Sequence, residues 1–171
     1  MLLVRPEETR DHEAISRVHR SAFGQESEAK LVTELRKSKD FSLGLSLVAV
    51  MDNEIVGHIL FSPVVIQCKD ENIHALALAP MAVQPEFQKQ GIGSKLVEKG
   101  LECCRRLGHQ IVIVVGHPEY YPRFGFSSAR ARGLEAPFPV PDEAFMVIEL
   151  TQGVLDGVSG MVVYPPAFSD F

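Results

Sequence analysis

The chain has 171 residues, 46% of them hydrophobic and 23% charged, which is typical of one globular domain spanning residues 1–171. Its 17 basic and 22 acidic residues give a net charge of −5 without a basic run, which disfavours a nucleic-acid partner. No apolar stretch approaches the roughly 20 residues that span a bilayer, so no membrane partner is expected. The three cysteines argue against a disulfide framework and indicate a reducing, cytoplasmic location.

The first part of the chain predicts a strand, two helices and a hairpin. LLVRP is typical of a short strand, and apolar residues at helical spacing after Asp11 predict a helix that Gly24 ends. SEAKLVTELRKS predicts a second helix. LSLVAVMDNEIVGHILFSPVVI predicts a β-hairpin that turns at Asp52 and Asn53, since both residue types accept the positive φ of a tight turn.

The second part alternates strands with one long helix. IHALALAPMAV predicts a long strand, followed by a helix from about Gly93 to Leu107 that Gly108 ends. The β-branched run IVIVV predicts a strand covered on both faces, as in a parallel or mixed sheet. PEYYPRF predicts a short helical turn, AFMVIEL a strand, and the tail ending in MVVYPPAFSDF a short edge strand. This order predicts an α/β layer fold with one strand–helix–strand crossover.

The stretch QKQGIGS, residues 88–94, places two glycines where the long helix starts. A P-loop would need a lysine and a hydroxyl residue at a spacing that is absent here, and a dinucleotide fingerprint would need a glycine where Leu96 stands. The first N–H groups of a helix are unpaired and lie at the positive end of its dipole. The stretch therefore predicts a cradle for a diphosphate, unless the glycines only relieve crowding.

Gln88–Gly93 resembles the Q/R-x-x-G-x-G/A pyrophosphate motif of the GNAT superfamily of N-acetyltransferases, and Tyr121–Phe126 resembles its Y-x-x-x-G-F element. AFGQESEAKLVTELR, PEYYPRFGF and AFMVIEL…YPPAF are similar to a bacterial subgroup of predicted acetyltransferases. The order of elements is similar along the whole chain. The resemblance implies a GNAT-like α/β fold, with a mixed, mostly antiparallel central sheet splayed at strands 4 and 5 and helices on both faces.

The resemblance also implies an activity: acetyl-CoA, a cosubstrate, donates an acetyl group to a primary amine that attacks the thioester directly. Tyr121 matches the family's general acid, which protonates the CoA sulfur; alternatively, Tyr120 and Tyr121 only pack under Phe124 and Phe126. The N–H of Val83 is expected to polarise the thioester carbonyl. The residues that match cosubstrate contacts are Met81, Ala82 and Val83 for pantetheine, and Gln88, Lys89, Gln90, Gly91, Ile92, Gly93 and Ser94 for the pyrophosphate.

Several features stay open at this point. The candidates for the general base are Glu26, Glu28, His74, His117 and water. No metal is expected, because Cys103 and Cys104 with one later histidine match no zinc spacing. A polyamine, amino acid, antibiotic, peptide terminus or protein lysine would each suit as acceptor, and the apolar tail is compatible with a homodimer. The alternative function is a CoA-binding regulatory or scaffold protein with the same fold and little turnover.

Overall fold

A computed structural model describes residues 1–170, with side chains through Ser169. The described residues form three α-helices and nine strands. The helices are α1 (His12–Phe23), α2 (Ser27–Arg36) and α3 (Ile92–Arg106). The strands are β1 (Leu2–Pro6), β2 (Ser46–Met51), β3 (Glu54–Cys68), β4 (Asn72–Val83), β5 (Ile111–Val115), β6 (Ser127–Ser128), β7 (Leu134–Glu135), β8 (Phe145–Glu149) and β9 (Gly160–Val163).

The helices and longer strands that the sequence predicts are confirmed. Gly24 and Gly108 follow α1 and α3 with φ of 68° and 89°, a left-handed conformation that glycine adopts without steric cost. Asp52 and Asn53 turn the β2–β3 hairpin with φ of 50° and 67°. The prediction of an edge strand in the tail is wrong, because β9 pairs with β3 and also with β7.

The chain divides into two compact units. The first contains residues 1–62 and 79–103 with the C-terminal residues from Pro166, and the second contains residues 63–78 and 104–165. Two strands, β3 and β4, contribute residues to both units.

In the first unit, β1 pairs antiparallel with β2, and β2 with β3. Alternate residues of a strand face opposite sides, and both faces of β3 carry helices. Leu60 packs in a cluster with apolar residues of α1 and α2. Gly57 and Phe61 face α3, where they contact Leu96 and Gly100. The expectation of helices on both faces is therefore met in this unit.

In the second unit, β4 pairs parallel with β5, where Leu76 lies opposite Val112 and Ala77 opposite Ile113. Strand β5 also pairs antiparallel with β8, and β8 pairs antiparallel with β6. From Ile111 to Val114, each residue of β5 is at most 2% exposed, which explains the continuous β-branched run. The predicted mixed, mostly antiparallel sheet is confirmed.

A buried carboxylate, Glu7, joins several elements of the first unit. Its side chain is fully buried and accepts from Arg36 Nε at 2.8 Å, while His12 Nε2 lies 3.0 Å away. The hydroxyl of Ser46 also donates to it. Burial by itself raises its pKa, but the neighbouring His58 together with the hydrogen bonds from Arg36 and Ser46 outweighs burial and lowers the pKa to about 2. The carboxylate is therefore ionised at neutral pH.

The ionised Glu7 fixes the direction of a buried hydrogen-bond chain. Because Ser46 donates to Glu7, its oxygen accepts from His58 Nε2–H at 2.8 Å. Burial lowers the pKa of both His58 and His19, for His19 to about 2, so both rings are neutral. His58 Nδ1 then accepts from His19 Nε2–H at 2.8 Å. His19 Nδ1 is left as a buried acceptor without a partner among the described residues.

We expect Glu7→Gln to lower the free energy of unfolding at pH 7 by about 3 kcal/mol, because it leaves the largely buried Arg36 without its charge partner. The folded-state pKa lies near 2, below the ordinary 4.5. The ionised carboxylate thus stabilises the fold above about pH 4.5, and this contribution is lost as the pH falls toward 2. Urea denaturation at pH 7, 4.5 and 3 measures both effects.

The matched control is Glu8→Gln, since the side chain of Glu8 is 49% exposed and pairs at the surface. We expect this control to change the free energy of unfolding by less than about 1 kcal/mol. Equal effects of the two substitutions would show that the buried carboxylate contributes no more than a surface ion pair.

Candidate functional site

The connection between β4 and α3 turns sharply before the helix begins. A short 3-10 turn, Pro85–Phe87, follows β4, and α3 starts at Ile92. Lys89 and Gly91 have positive φ, of 64° and 85°. Left-handed residues beside right-handed ones turn successive N–H groups toward one side, which is the geometry of an anion-binding nest.

The N–H groups of this turn are available to a ligand. The first hydrogen bond of α3 runs from the Lys95 N–H to the Gly91 carbonyl, at 3.1 Å. Within residues 1–170, no backbone carbonyl accepts from the N–H groups of Lys89, Gln90 or Gly91. All three residues are exposed and precede the positive end of the α3 dipole. Such an arrangement suits a phosphate group.

Two glutamine side chains brace the turn. Gln88 Nε2 donates to the Val83 carbonyl at 2.9 Å, and Gln90 Nε2 donates to the Glu86 carbonyl at 3.4 Å. The Gln88 amide therefore holds the loop against the end of β4, and the Gln90 amide bridges two residues within the loop. The structure thus brings together the two predicted groups of cosubstrate contacts, residues 81–83 and 88–94, in the first unit.

The end of β4 has one edge directed away from β3. The N–H of Gln84 donates to the Val56 carbonyl of β3 at 2.8 Å. Because N–H groups alternate along a strand, the N–H of Val83 points away from β3. Ala82 is 5% exposed, and Met81 and Val83 are partly buried. Backbone groups at this edge are suited to pair with an extended ligand.

Tyr121 lies in the second unit, in a 3-10 turn, Tyr121–Phe124, that follows β5. Its ring packs edge-on against Tyr120 and Phe126, with centroids 5.1 and 5.7 Å away. Gly116, at the end of β5, provides the space for this ring, because a Cβ there would lie 2.4 Å from Tyr121 Cε2. Sequence reasoning missed Gly116, whose only signal was a glycine directly after a strand.

Tyr121 is 7% exposed. Burial, and to a lesser extent the neighbouring Tyr120, raises the pKa of Tyr121 to about 12. The phenol is therefore protonated at neutral pH.

The candidate bases have different surroundings. Glu26 is exposed and pairs with Arg20 at 2.8 Å. Glu28 is 6% exposed and accepts from Gln25 Nε2 at 3.1 Å. Both lie in the first unit, whereas the exposed His74 and His117 lie in the second. The contacts of these four side chains single out no base.

The parallel pair of β4 and β5 is joined through α3, and a turn with exposed N–H groups precedes that helix. Residues 4–129 match the family model described as an acetyltransferase (GNAT) domain. This chain belongs to that family.

Its bacterial relatives extend the match to the whole chain. The chain is 36% identical over 171 residues to the uncharacterized N-acetyltransferase YhbS of Escherichia coli K12, across 99% of this chain and 100% of YhbS. It is 40% identical over 134 residues to YjhQ, an uncharacterized N-acetyltransferase of the same strain, across 78% of this chain and 74% of YjhQ.

Two solved structures share the fold, and they were determined in complex with CoA and acetyl-CoA respectively. The crystal structure of Escherichia coli YhbS in complex with CoA has a TM-score of 0.89 at 34% identity, covering 98% of this chain and 91% of that one. A GNAT acetyltransferase of Brucella melitensis in complex with acetyl-CoA has a TM-score of 0.80 at 31% identity, covering 98% of each chain.

The described residues contain neither a cluster of metal ligands nor a membrane-spanning helix. Within residues 1–170, no three side chains of His, Cys, Asp or Glu converge as metal ligands. No helix in that range combines the length and apolar character that a membrane span requires.

Proposed function

We propose that this protein transfers the acetyl group of acetyl-CoA to a primary amine, by direct attack of the amine on the thioester. The observation that carries the proposal is the set of free N–H groups at Lys89, Gln90 and Gly91, directly before α3. Relatives more than 30% identical to this chain support it, since YhbS was solved with CoA and the Brucella melitensis enzyme with acetyl-CoA.

In this proposal the backbone recognises the cosubstrate. The diphosphate accepts hydrogen bonds from the turn before α3, and the amides of the pantetheine arm pair with the edge of β4 that faces away from β3. The residues proposed to contact the cosubstrate are Met81, Ala82, Val83, Gln88, Lys89, Gln90, Gly91, Ile92, Gly93 and Ser94.

The chemistry requires a polarised carbonyl and a protonated leaving group. The Val83 N–H is proposed to donate to the thioester oxygen as negative charge develops there. The Tyr121 hydroxyl is proposed to donate to the departing sulfur. A phenol with a pKa of about 12 remains protonated at neutral pH, so it can donate a hydrogen bond to the sulfur while the C–S bond breaks. Tyr121 is proposed as the general acid on this basis.

The acceptor must lose its ammonium proton before attack, because a protonated amine has no free electron pair. Glu26, Glu28, His74, His117 and water remain the candidates to take that proton. No acceptor is assigned within the class of primary amines.

We further propose that residues 1–171 act as a single acetyltransferase domain, because β3 and β4 each supply residues to both compact units. A bacterial cytoplasm is the proposed location. Its support is the bacterial origin of the relatives and three free cysteines, which suit a reducing compartment.

Cosubstrate binding is tested by thermal unfolding. CoA at 100 times its dissociation constant should stabilise the protein by about 2.7 kcal/mol. For a domain of this size, that gain raises Tm by about 5–10 °C. NAD at the same concentration is the control, since it also carries a diphosphate but no pantetheine arm. A rise in Tm with NAD and none with CoA would contradict the proposal.

Turnover is tested with a panel of primary amines, with release of CoA from acetyl-CoA as the readout. The panel contains polyamines, amino acids, aminoglycosides, a peptide N-terminus and a lysine peptide. At least one amine should accelerate CoA release above hydrolysis. Tight CoA binding without amine-dependent release from any class would favour the regulatory or scaffold function.

Backbone recognition predicts opposite results at two neighbouring positions. Gly91→Val should weaken CoA binding at least 10-fold, because valine at a φ of 85° is strained and its Cβ stands where the phosphate approaches. Lys89→Ala should weaken it less than 3-fold, because salt screens an exposed lysine. Titration calorimetry measures both affinities.

Gly108→Val is a matched control for Gly91→Val. Gly108 follows α3 with a φ of 89°. A Cβ added at either glycine would meet no atom of a non-neighbouring residue within 4 Å. The two variants should therefore suffer similar backbone strain, but Gly108→Val should keep the parent's CoA affinity. A larger loss of affinity for Lys89→Ala than for Gly91→Val would overturn recognition by the backbone.

Tyr121→Phe tests the general acid, since it removes only the hydroxyl and keeps the packed ring. With a substrate from the amine panel and saturating acetyl-CoA, kcat should fall roughly 100-fold, as is typical for loss of a general acid. CoA affinity, measured separately, should stay unchanged. Tyr120→Phe is the control and should keep most of the parent's kcat. Equal kcat in Tyr121→Phe and the parent would leave Tyr121 with a packing role only.

A further inference from the structure

A glycine stands in the middle of α3, where the helix backbone does not require one. Gly100 is buried and has an ordinary helical φ, so its conformation is open to any residue. Alanine would favour the helix more, because glycine loses more backbone freedom on folding. A reason for glycine at this position must therefore come from packing.

The ring of Phe61 occupies the space that a side chain at position 100 would need. A Cβ at Gly100 would lie 2.4 Å from Phe61 Cε1 and 2.6 Å from Cζ. Phe61 is 1% exposed, so its ring has no solvent to move into. The helix backbone and the β3 ring are thus in direct contact, and a methyl group would force them apart.

One helix turn earlier, the same two elements interlock in the opposite sense. Leu96 projects from α3 onto Gly57 of β3, where a Cβ would lie 3.0 Å from Leu96 Cδ1. The same Cβ would lie 3.3 Å from the Ala82 carbonyl oxygen of β4. A side chain at position 57 would therefore press on both α3 and the end of β4.

These contacts between α3 and β3 affect the position of the turn at residues 89–91, which precedes α3. Leu96 lies only four residues, about 6 Å at 1.5 Å per residue, from the start of α3 at Ile92, so a displacement of the helix at Leu96 also shifts its start. Hydrogen bonds weaken steeply when distance or angle departs from the optimum. We propose that Gly100, through its contact with Phe61, is a positioning residue that aims the amides of residues 89–91 at the CoA diphosphate.

This inference rests on the proposed binding of CoA, and a rescue experiment tests it. Gly100→Ala should raise the CoA dissociation constant about 10-fold, although the substitution favours the helix. Phe61→Leu alone should change it less than 3-fold. The double variant Phe61→Leu/Gly100→Ala makes room for the new methyl group and should return to within about 3-fold of Phe61→Leu.

Titration calorimetry separates this role from a structural one, because unfolded protein lowers the binding stoichiometry and the folded fraction keeps its dissociation constant. Glu98→Ala is the control for a change to alanine on an exposed position of α3 and should bind as the parent does. An unchanged dissociation constant in folded Gly100→Ala would overturn the proposal, as would a loss that Phe61→Leu does not relieve.

Should Gly100→Ala fail to fold, Gly57→Ala tests the spacing of α3 and β3 from the sheet side, at the neighbouring contact with Leu96. Its Cβ intrudes less on α3, so we expect the CoA dissociation constant to rise about 3-fold, and parent affinity would overturn the proposal. Absence of CoA binding in the parent would instead refute the proposed function, and this inference with it.

Discussion

A helix cannot satisfy its own first N–H groups, and here the chain turns left-handed at Lys89 and Gly91 just before α3 begins. An N–H buried without a partner costs about 1–3 kcal/mol, but water satisfies these donors because the turn is exposed. An anion that replaces this water meets donors already aligned by the backbone. The side-chain amide of Gln88 is bound to the Val83 carbonyl, so it braces the turn. The proposed recognition of a diphosphate therefore depends on backbone geometry, and we propose that this geometry depends on where α3 is held.

Strand β3 supplies that support by using its two faces differently. The face with Gly57 and Phe61 interlocks with α3 through direct contacts and small residues. The opposite face carries His58, whose hydrogen bonds lead to Ser46 and onward to the buried Glu7. A dry contact permits close approach, whereas a buried polar chain is tolerated only when its donors are paired. Strand β3 is thus held by a different kind of contact on each face, apolar toward α3 and hydrogen-bonded toward α1.

Much of this architecture could be predicted because local patterns agreed with the fold. The β-branched run at residues 111–115 predicted a strand covered on both faces, and Asp52–Asn53 predicted the hairpin turn. The two-residue strands β6 and β7 could not be predicted, since two residues carry no periodicity. Nor could the Glu7 cluster, whose members come from distant parts of the chain. Gly100 interrupts a helical pattern and Gly116 follows a strand, but only the coordinates reveal the rings of Phe61 and Tyr121 that exclude a side chain there.

The raised pKa of Tyr121 constrains the order of proton movements in the proposed reaction. A phenol with a pKa of about 12 cannot simply give up its proton to a thiolate whose conjugate acid has a pKa near 8.5. The phenol can donate a hydrogen bond to the sulfur while the C–S bond breaks, which stabilises the developing charge. Complete transfer becomes favourable when Tyr121 is itself resupplied with a proton. The attacking nitrogen carries such a proton once it is bonded to the carbonyl carbon. The amine's own proton can therefore end on the sulfur through Tyr121, and the base needs to act only on the free ammonium before attack.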